Sequence, residues 1–258
     1  MKIEIIRRKR ALMRNVKIEY QYDGSKYYGF QRQKNKVTVQ GDIEKVILNK
    51  FKEKVNMVSS GRTDRGVHAL GQVSNFLISK KIPLEAIKSQ INKILRGKVK
   101  ILNIEEVHSD FNARFAAKRR TYLYVLKNKN KITPFEDSYV TSIHEEIDID
   151  KLQLILQPFI GVHDFSSFAK KDEAMRNPIR EIYSIDCYYN KCDERYYIEI
   201  SGSSFLKTMI RIIVGSALQI YFGKKEEDYI ISKLENPDEN THKILAPSEG
   251  LYLYKIEY

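Results

Sequence analysis

The chain has 258 residues, with 45 Lys and Arg against 33 Asp and Glu, a formal net charge of +12. That length buries a sizeable core in one large domain or two smaller ones, the 42% hydrophobic content argues against global disorder, and no run approaches the roughly 20 apolar residues of a bilayer span. Two cysteines, Cys187 and Cys192, exclude a disulfide scaffold and have poor zinc spacing, so no metal is expected and the thiols are read as idle in a reducing cytosol. The charge then points to a polyanionic partner such as nucleic acid or an anionic membrane surface. The absence of Trp is offset by 17 Tyr and 11 Phe, which leave many rings for stacking on bases.

Residues 1–12 read as a basic N-terminal extension. No apolar stretch follows the cationic cluster at 7–10, which disfavours a signal peptide. The bland reading is a free tail; the sharper one is an arm on RNA phosphates. Val16, Ile18, Tyr20 and Tyr22 alternate with polar residues, which predicts a half-buried strand ended by the turn residues Asp23, Gly24 and Ser25. Thr38 is placed to cap a helix with Val39, Ile43, Val46 and Ile47 on one face. A strand is expected at 71–78, a helix at 84–95 and strands at 99–107 and 119–127. The polar stretch 128–147, with Pro134, reads as a connecting segment between an N-terminal half, 13–127, and a C-terminal half, 148–258.

In the second half, Asp148 or Asp150 caps a helix carrying Leu152, Ile155, Leu156 and Phe159, closed by Gly161. Strands follow at 179–189 and 195–201. The strongest helix spans 205–222, then come a short helix near 225–235 and a last strand at 250–257. Strands and helices mix without strict βαβα alternation. This predicts an α+β fold with a mostly antiparallel sheet.

One stretch carries chemistry: Ser60, Gly61, Arg62, Thr63, Asp64, Arg65, Gly66, Val67, His68, Ala69. Glycines flank a compact cluster of charge, which places it in a loop. A carboxylate among guanidinium groups is held ionised, which suits a nucleophile, a base or a positioning anion and not a proton donor. Taken alone, such a loop is more often a structural salt bridge. His68 reads as structural. His163 and Asp164 look like a dyad, but no nucleophilic Ser or Cys block accompanies them, so they read as a loop contact. No phosphate-cradling or dinucleotide glycine fingerprint occurs.

The segment from Gly61 to Ala69, followed by Gly71, Gln72 and Val73, resembles the signature of the tRNA pseudouridine synthase A (TruA) family. Further blocks agree in order. They are Tyr22 to Ser25 with Gly29 to Gln33 and Thr38 to Gln40; Phe111 to Ala117 with Arg120 to Tyr124; and Gly161 to Phe168. Phe205 and Leu206 with Met209 to Arg211, Val214 and Gly215, and then Ala246 and Pro247 with Gly250 to Leu253 complete the set. The likeness runs from about residue 16 to the C-terminus. Phe30 stands where the family usually has Trp, and Arg65 where Ala or Lys is more usual.

The resemblance implies the pseudouridine synthase fold: two similar α/β halves around an extended, mostly antiparallel central sheet with a central active-site cleft. It implies a cytoplasmic isomerase that converts uridine to pseudouridine in the tRNA anticodon stem-loop, at positions 38, 39 and 40, with no cofactor and no metal. By resemblance Asp64 is the catalytic aspartate, Tyr122 packs against the target base, and Arg211 pairs with the aspartate. Arg62 helps to displace the nucleotide or anchors a phosphate, because a stacked base must leave its stem to be reached. The implied partners are tRNA and a second copy of the chain in a homodimer. The rival readings are a paralogue acting on ribosomal RNA or another tRNA position, and a non-catalytic RNA-binding protein.

Overall fold

A computed structural model describes residues 13–171 and 177–258. The basic extension expected at 1–12 lies outside the described residues. Contacts divide the chain into two units. Unit 1 comprises the chain up to Lys118 together with Leu253–Tyr258, and unit 2 comprises Arg119–Tyr252. The fold is mixed α and β, as the sequence predicts.

Unit 1 is built on strands β1 (Arg14–Tyr22), β2 (Val58–Ser59), β3 (His68–Ile78) and β4 (Val99–Val107). β1 lies between β3 and β4, antiparallel to both, with Val16 opposite Phe76 on one side and Glu106 on the other. The alternation seen in the sequence is the reason: Val16, Ile18 and Tyr20 are fully buried on one face. The register of β1 against β3 slips between Tyr20 and Tyr22, which face Gln72 and Ala69. The extra residue sits on β3 beside Gly71. A Cβ there would stand 2.5 Å from the Tyr254 carbonyl, so only glycine lets that backbone approach. Two helices, α1 (Val39–Phe51) and α2 (Leu84–Ile94), bury their apolar stripes in this unit. Thr38 caps α1 as predicted, its side chain accepting from Gly41 N–H at 3.3 Å.

Unit 2 holds β5 (Arg119–Asn128), β6 (Thr141–Ile143), β7 (Gly161–Asp164), β8 (Ile179–Asn190) and β9 (Arg195–Gly202). Their order is β5-β9-β8-β7, all antiparallel, with β6 parallel to β5. Its helices are α3 (Ile149–Leu156), α4 (Met209–Tyr221) and α5 (Tyr229–Glu235). Asp148, one of the two cap candidates, accepts from Lys151 N–H at 3.1 Å. The last strand, β10 (Leu251–Glu257), starts in unit 2 with Leu251 and Tyr252 and continues in unit 1 from Leu253. Among the described residues no helix is long and apolar enough to cross a membrane.

Three boundaries differ from the sequence reading. The strand at 119–128 clusters with unit 2, because it pairs with β9 from Arg120 to Leu126. The stretch 128–147 is a packed part of unit 2 and not a bare connector. Glu136 in it accepts from Lys127 Nζ at 2.9 Å and from Arg195 Nη2 at 2.6 Å, and β6 forms there. Finally, α4 starts at Met209, four residues after the predicted start, because Thr208 takes a left-handed φ of 60°.

Candidate active site

In unit 1 the glycine-flanked cluster forms the loop between β2 and β3. Its first two residues are tied to Gln72 of β3, which is fully buried. Ser60 Oγ donates to Gln72 Oε1 at 2.7 Å, and Gln72 Nε2 donates to the Gly61 carbonyl at 3.0 Å. Either side of Asp64 is fastened too. The Thr63 hydroxyl bonds the Tyr22 hydroxyl at 2.8 Å, and the Thr63 carbonyl accepts from Phe30 N–H at 3.1 Å. Val67 N–H closes the turn onto the Asp64 carbonyl at 3.2 Å.

The turn after β1 presses on the same loop. A Cβ on Gly24 would lie 2.1 Å from the Val67 carbonyl oxygen, closer than any real contact. Gly24 N–H donates to His68 Nδ1 at 3.1 Å, and the same nitrogen lies 3.4 Å from Asp23 Oδ1. His68 is buried, and this bond fastens the turn to the start of β3, which agrees with a structural part. The Asp64 side chain is half-buried, and Arg62 and Arg65 are exposed. Arg65 sets its guanidinium 4.7 Å from the ring centre of Tyr28. Backbone and neutral side-chain bonds thus hold the loop around Asp64, and Arg62 and Arg65 are exposed.

Tyr122 and Arg211 belong to unit 2. Tyr122 sits on β5 opposite Ile200 of β9, 8% exposed, and the Phe205 ring meets it edge to face, 5.2 Å between centroids at 85°. Arg211 lies in the first turn of α4, half-buried. Its Nε donates to the Ala246 carbonyl at 2.7 Å, and Ala246 N–H donates back to the Arg211 carbonyl at 2.9 Å. A cation in the first turn of a helix opposes the helix dipole, so helix stability does not explain the position.

The loop therefore gathers Asp64 with Arg62 in unit 1. In unit 2, Tyr122 meets Phe205, and Arg211 is anchored on Ala246. The sequence places Phe205 on a helix face and does not foresee its ring contact with Tyr122. It also does not mark Tyr22, Gln72 or Thr63 as the loop's fastenings. The buried face of β1, which ends in the polar tip of Tyr22, is the only hint. His163 Nε2 is 3.0 Å from the Ile160 carbonyl, and Asp164 accepts from Ser166 N–H at 2.8 Å; each bonds its own neighbourhood. Cys187 is half-buried with its thiol pushed up to about 12 by burial. Among the described residues no group of three or more His, Cys, Asp or Glu is placed to hold a metal ion.

A family model described as tRNA pseudouridine synthase matches residues 18–116 and 155–258. The chain is 38% identical over 246 residues to the tRNA pseudouridine synthase A of a Thermoanaerobacter species, covering 95% of this chain and 100% of that protein. It is 40% identical over 248 residues to the protein of the same name from Dictyoglomus thermophilum, with the same coverage. Among solved structures, the Cbf5-Nop10-Gar1 complex matches at 9% identity and a TM-score of 0.37, over 79% of this chain and 44% of that one, a likeness too loose to carry an argument.

Proposed function

The chain belongs to the tRNA pseudouridine synthase family, and from that premise we propose that it isomerises uridines of the anticodon stem-loop, at positions 38, 39 and 40, with Asp64 as its catalytic residue. The enzyme is an isomerase acting on tRNA. In the reaction the C1′–N1 bond of the nucleotide breaks and the uracil turns. C5 then joins C1′, the proton on C5 leaves, and N1 gains one. No electron is gained or lost overall.

The observation that carries the reading is the fastening of the loop on both sides of Asp64. A preorganised carboxylate has little reorganisation left to do when it attacks a carbon or removes a proton. In this reading Tyr122 packs on the target base and its hydroxyl shares in proton transfer. Its ring is already steadied by Phe205. Arg62, exposed beside Asp64, holds the displaced backbone, and Arg211 binds the substrate from the first turn of α4. The homodimer, with RNA across both copies, and the cytoplasmic location rest on the resemblance of the sequence blocks alone.

Tritium release from tRNA carrying 5-³H-uridine reports the loss of the C5 proton. Asp64→Ala is expected to lower release by roughly 10³-fold or more while tRNA binding persists. Undiminished release would remove Asp64 from the chemistry. Mapping pseudouridines by chemical blocking and primer extension in a deletion strain tests the positions. An anticodon arm unchanged by the deletion would sink them.

A further inference from the structure

The chain after Tyr28 doubles back on itself. Tyr28 N–H donates to the Val37 carbonyl at 3.0 Å, Gln33 Nε2 donates to the Tyr28 carbonyl at 3.0 Å, and Asn35 turns the chain with a φ of 61°. The fold-back sets Lys36 Nζ 4.5 Å from the centre of the Tyr28 ring. Arg65, far along the sequence, places its guanidinium 4.7 Å from the same centre. Tyr28 is 43% exposed, and both cations are exposed.

Two cations gathered on one ring lie within about one Debye length of each other and repel. The negative face of the ring offsets part of that repulsion. One ring face cannot engage all of the N–H donors, three on Lys and five on Arg. An anion that accepts from both cations completes the arrangement, and RNA supplies one such anion per nucleotide. The ring is also fixed to the reacting loop. Phe30 N–H bonds the Thr63 carbonyl, and Gly29 packs its α-carbon side against Arg65 N, where a Cβ would stand at 3.5 Å. Whatever is held on Tyr28 is thereby placed relative to Asp64 within unit 1.

We propose that Lys36 and Arg65, gathered on the ring of Tyr28, take a backbone phosphate of the RNA beside the target nucleotide and set the register of the substrate against Asp64. This rests on the reading of Asp64 as the reacting carboxylate. Lys36 and Arg65 are positioning residues, and Tyr28 is the platform that keeps them together.

The test compares the full chain with Lys36→Gln, Arg65→Gln and the double variant, in steady-state turnover and in tRNA binding over a salt series. The double variant is expected to raise KM roughly tenfold with kcat within about twofold, and to reduce the salt slope of log binding by about 0.9. Tyr28→Leu shares the effect, and Tyr28→Phe, which keeps the ring, does not. A stem-loop substrate with single methylphosphonates locates the phosphate. One neutralised position should weaken the wild type and leave the double variant unaffected. Wild-type KM and slope in the double variant overturn the proposal, as does a loss that no single phosphate reproduces. The slopes are also measured with Asp64→Ala, so binding decides this proposal even if turnover overturns the role of Asp64.

Discussion

The Asp64 loop of unit 1 and the Glu136 cluster of unit 2 both bring a carboxylate together with basic residues, and they are built in opposite ways. Around Asp64 the fastening bonds run through Thr63, Val67, Gln72 and Gly24, while Arg62 and Arg65 face outwards. Around Glu136 the fastening bonds are the ions themselves: Arg195 and Lys127 both donate to its Oε1. These bonds, that from Arg195 foremost, pull the Glu136 carboxyl down to about 2. A carboxylate used as a structural knot has its neighbouring cations consumed. Around Asp64, by contrast, Arg62 and Arg65 stay exposed, and on the proposed reading of that loop they remain for a substrate.

Three substitutions try that contrast. The largest effect is expected from Gly24→Ala. The added methyl meets the Val67 carbonyl at 2.1 Å, so the turn or the loop must shift. We expect a stability loss of about 1–3 kcal/mol, read by urea unfolding, together with a drop in tritium release per folded molecule. Unchanged activity would mean that the loop needs no such clasp.

Glu136→Gln is expected to act on stability alone, lowering Tm by roughly 2–4 °C while specific activity holds. Its pH dependence has a definite sign. The Glu136 carboxyl sits below its ordinary 4.5, so its contribution is complete above that pH and fades as the pH falls towards about 2. The wild type should therefore lose its advantage over Glu136→Gln across that window in acid melts. A constant difference would show that the knot does not carry the shift. Thr63→Val is the gentlest. It removes the hydroxyl partner of Tyr22, costs about 1 kcal/mol and should lower kcat modestly, and Thr63→Ser should restore it. A stability loss with kcat intact would place Thr63 in the scaffold only.

The contrast also marks where the sequence is legible. Elements whose cause is local are readable: the alternation of β1, the Thr38 cap and the Asp148 cap each follow from neighbours in the chain. The Asp64 loop stands out because glycines and charges crowd one short stretch. What escapes is set by distant partners. The stretch 128–147 looks like a linker because Arg195, which holds Glu136, is far away in sequence. Phe205 reads as part of a helix, yet its ring is taken by Tyr122 and the helix starts only after Thr208. β2, β6 and β7 run two to four residues, too short for any periodicity to show.

The division of β10 has a consequence for synthesis. Chains commonly fold from the N-terminus as they emerge from the ribosome. Here unit 1 is translated first but also needs Leu253–Tyr258. Tyr258 packs against Phe111 at 5.1 Å and its hydroxyl donates to the Ala113 carbonyl at 3.0 Å; Glu257 accepts from Lys118 N–H at 2.8 Å. The nascent first unit, which carries Asp64, therefore waits for the whole of unit 2 to be made. A ribosome stalled before residue 253 holds a chain with the Asp64 loop already translated and the unit around it unfinished.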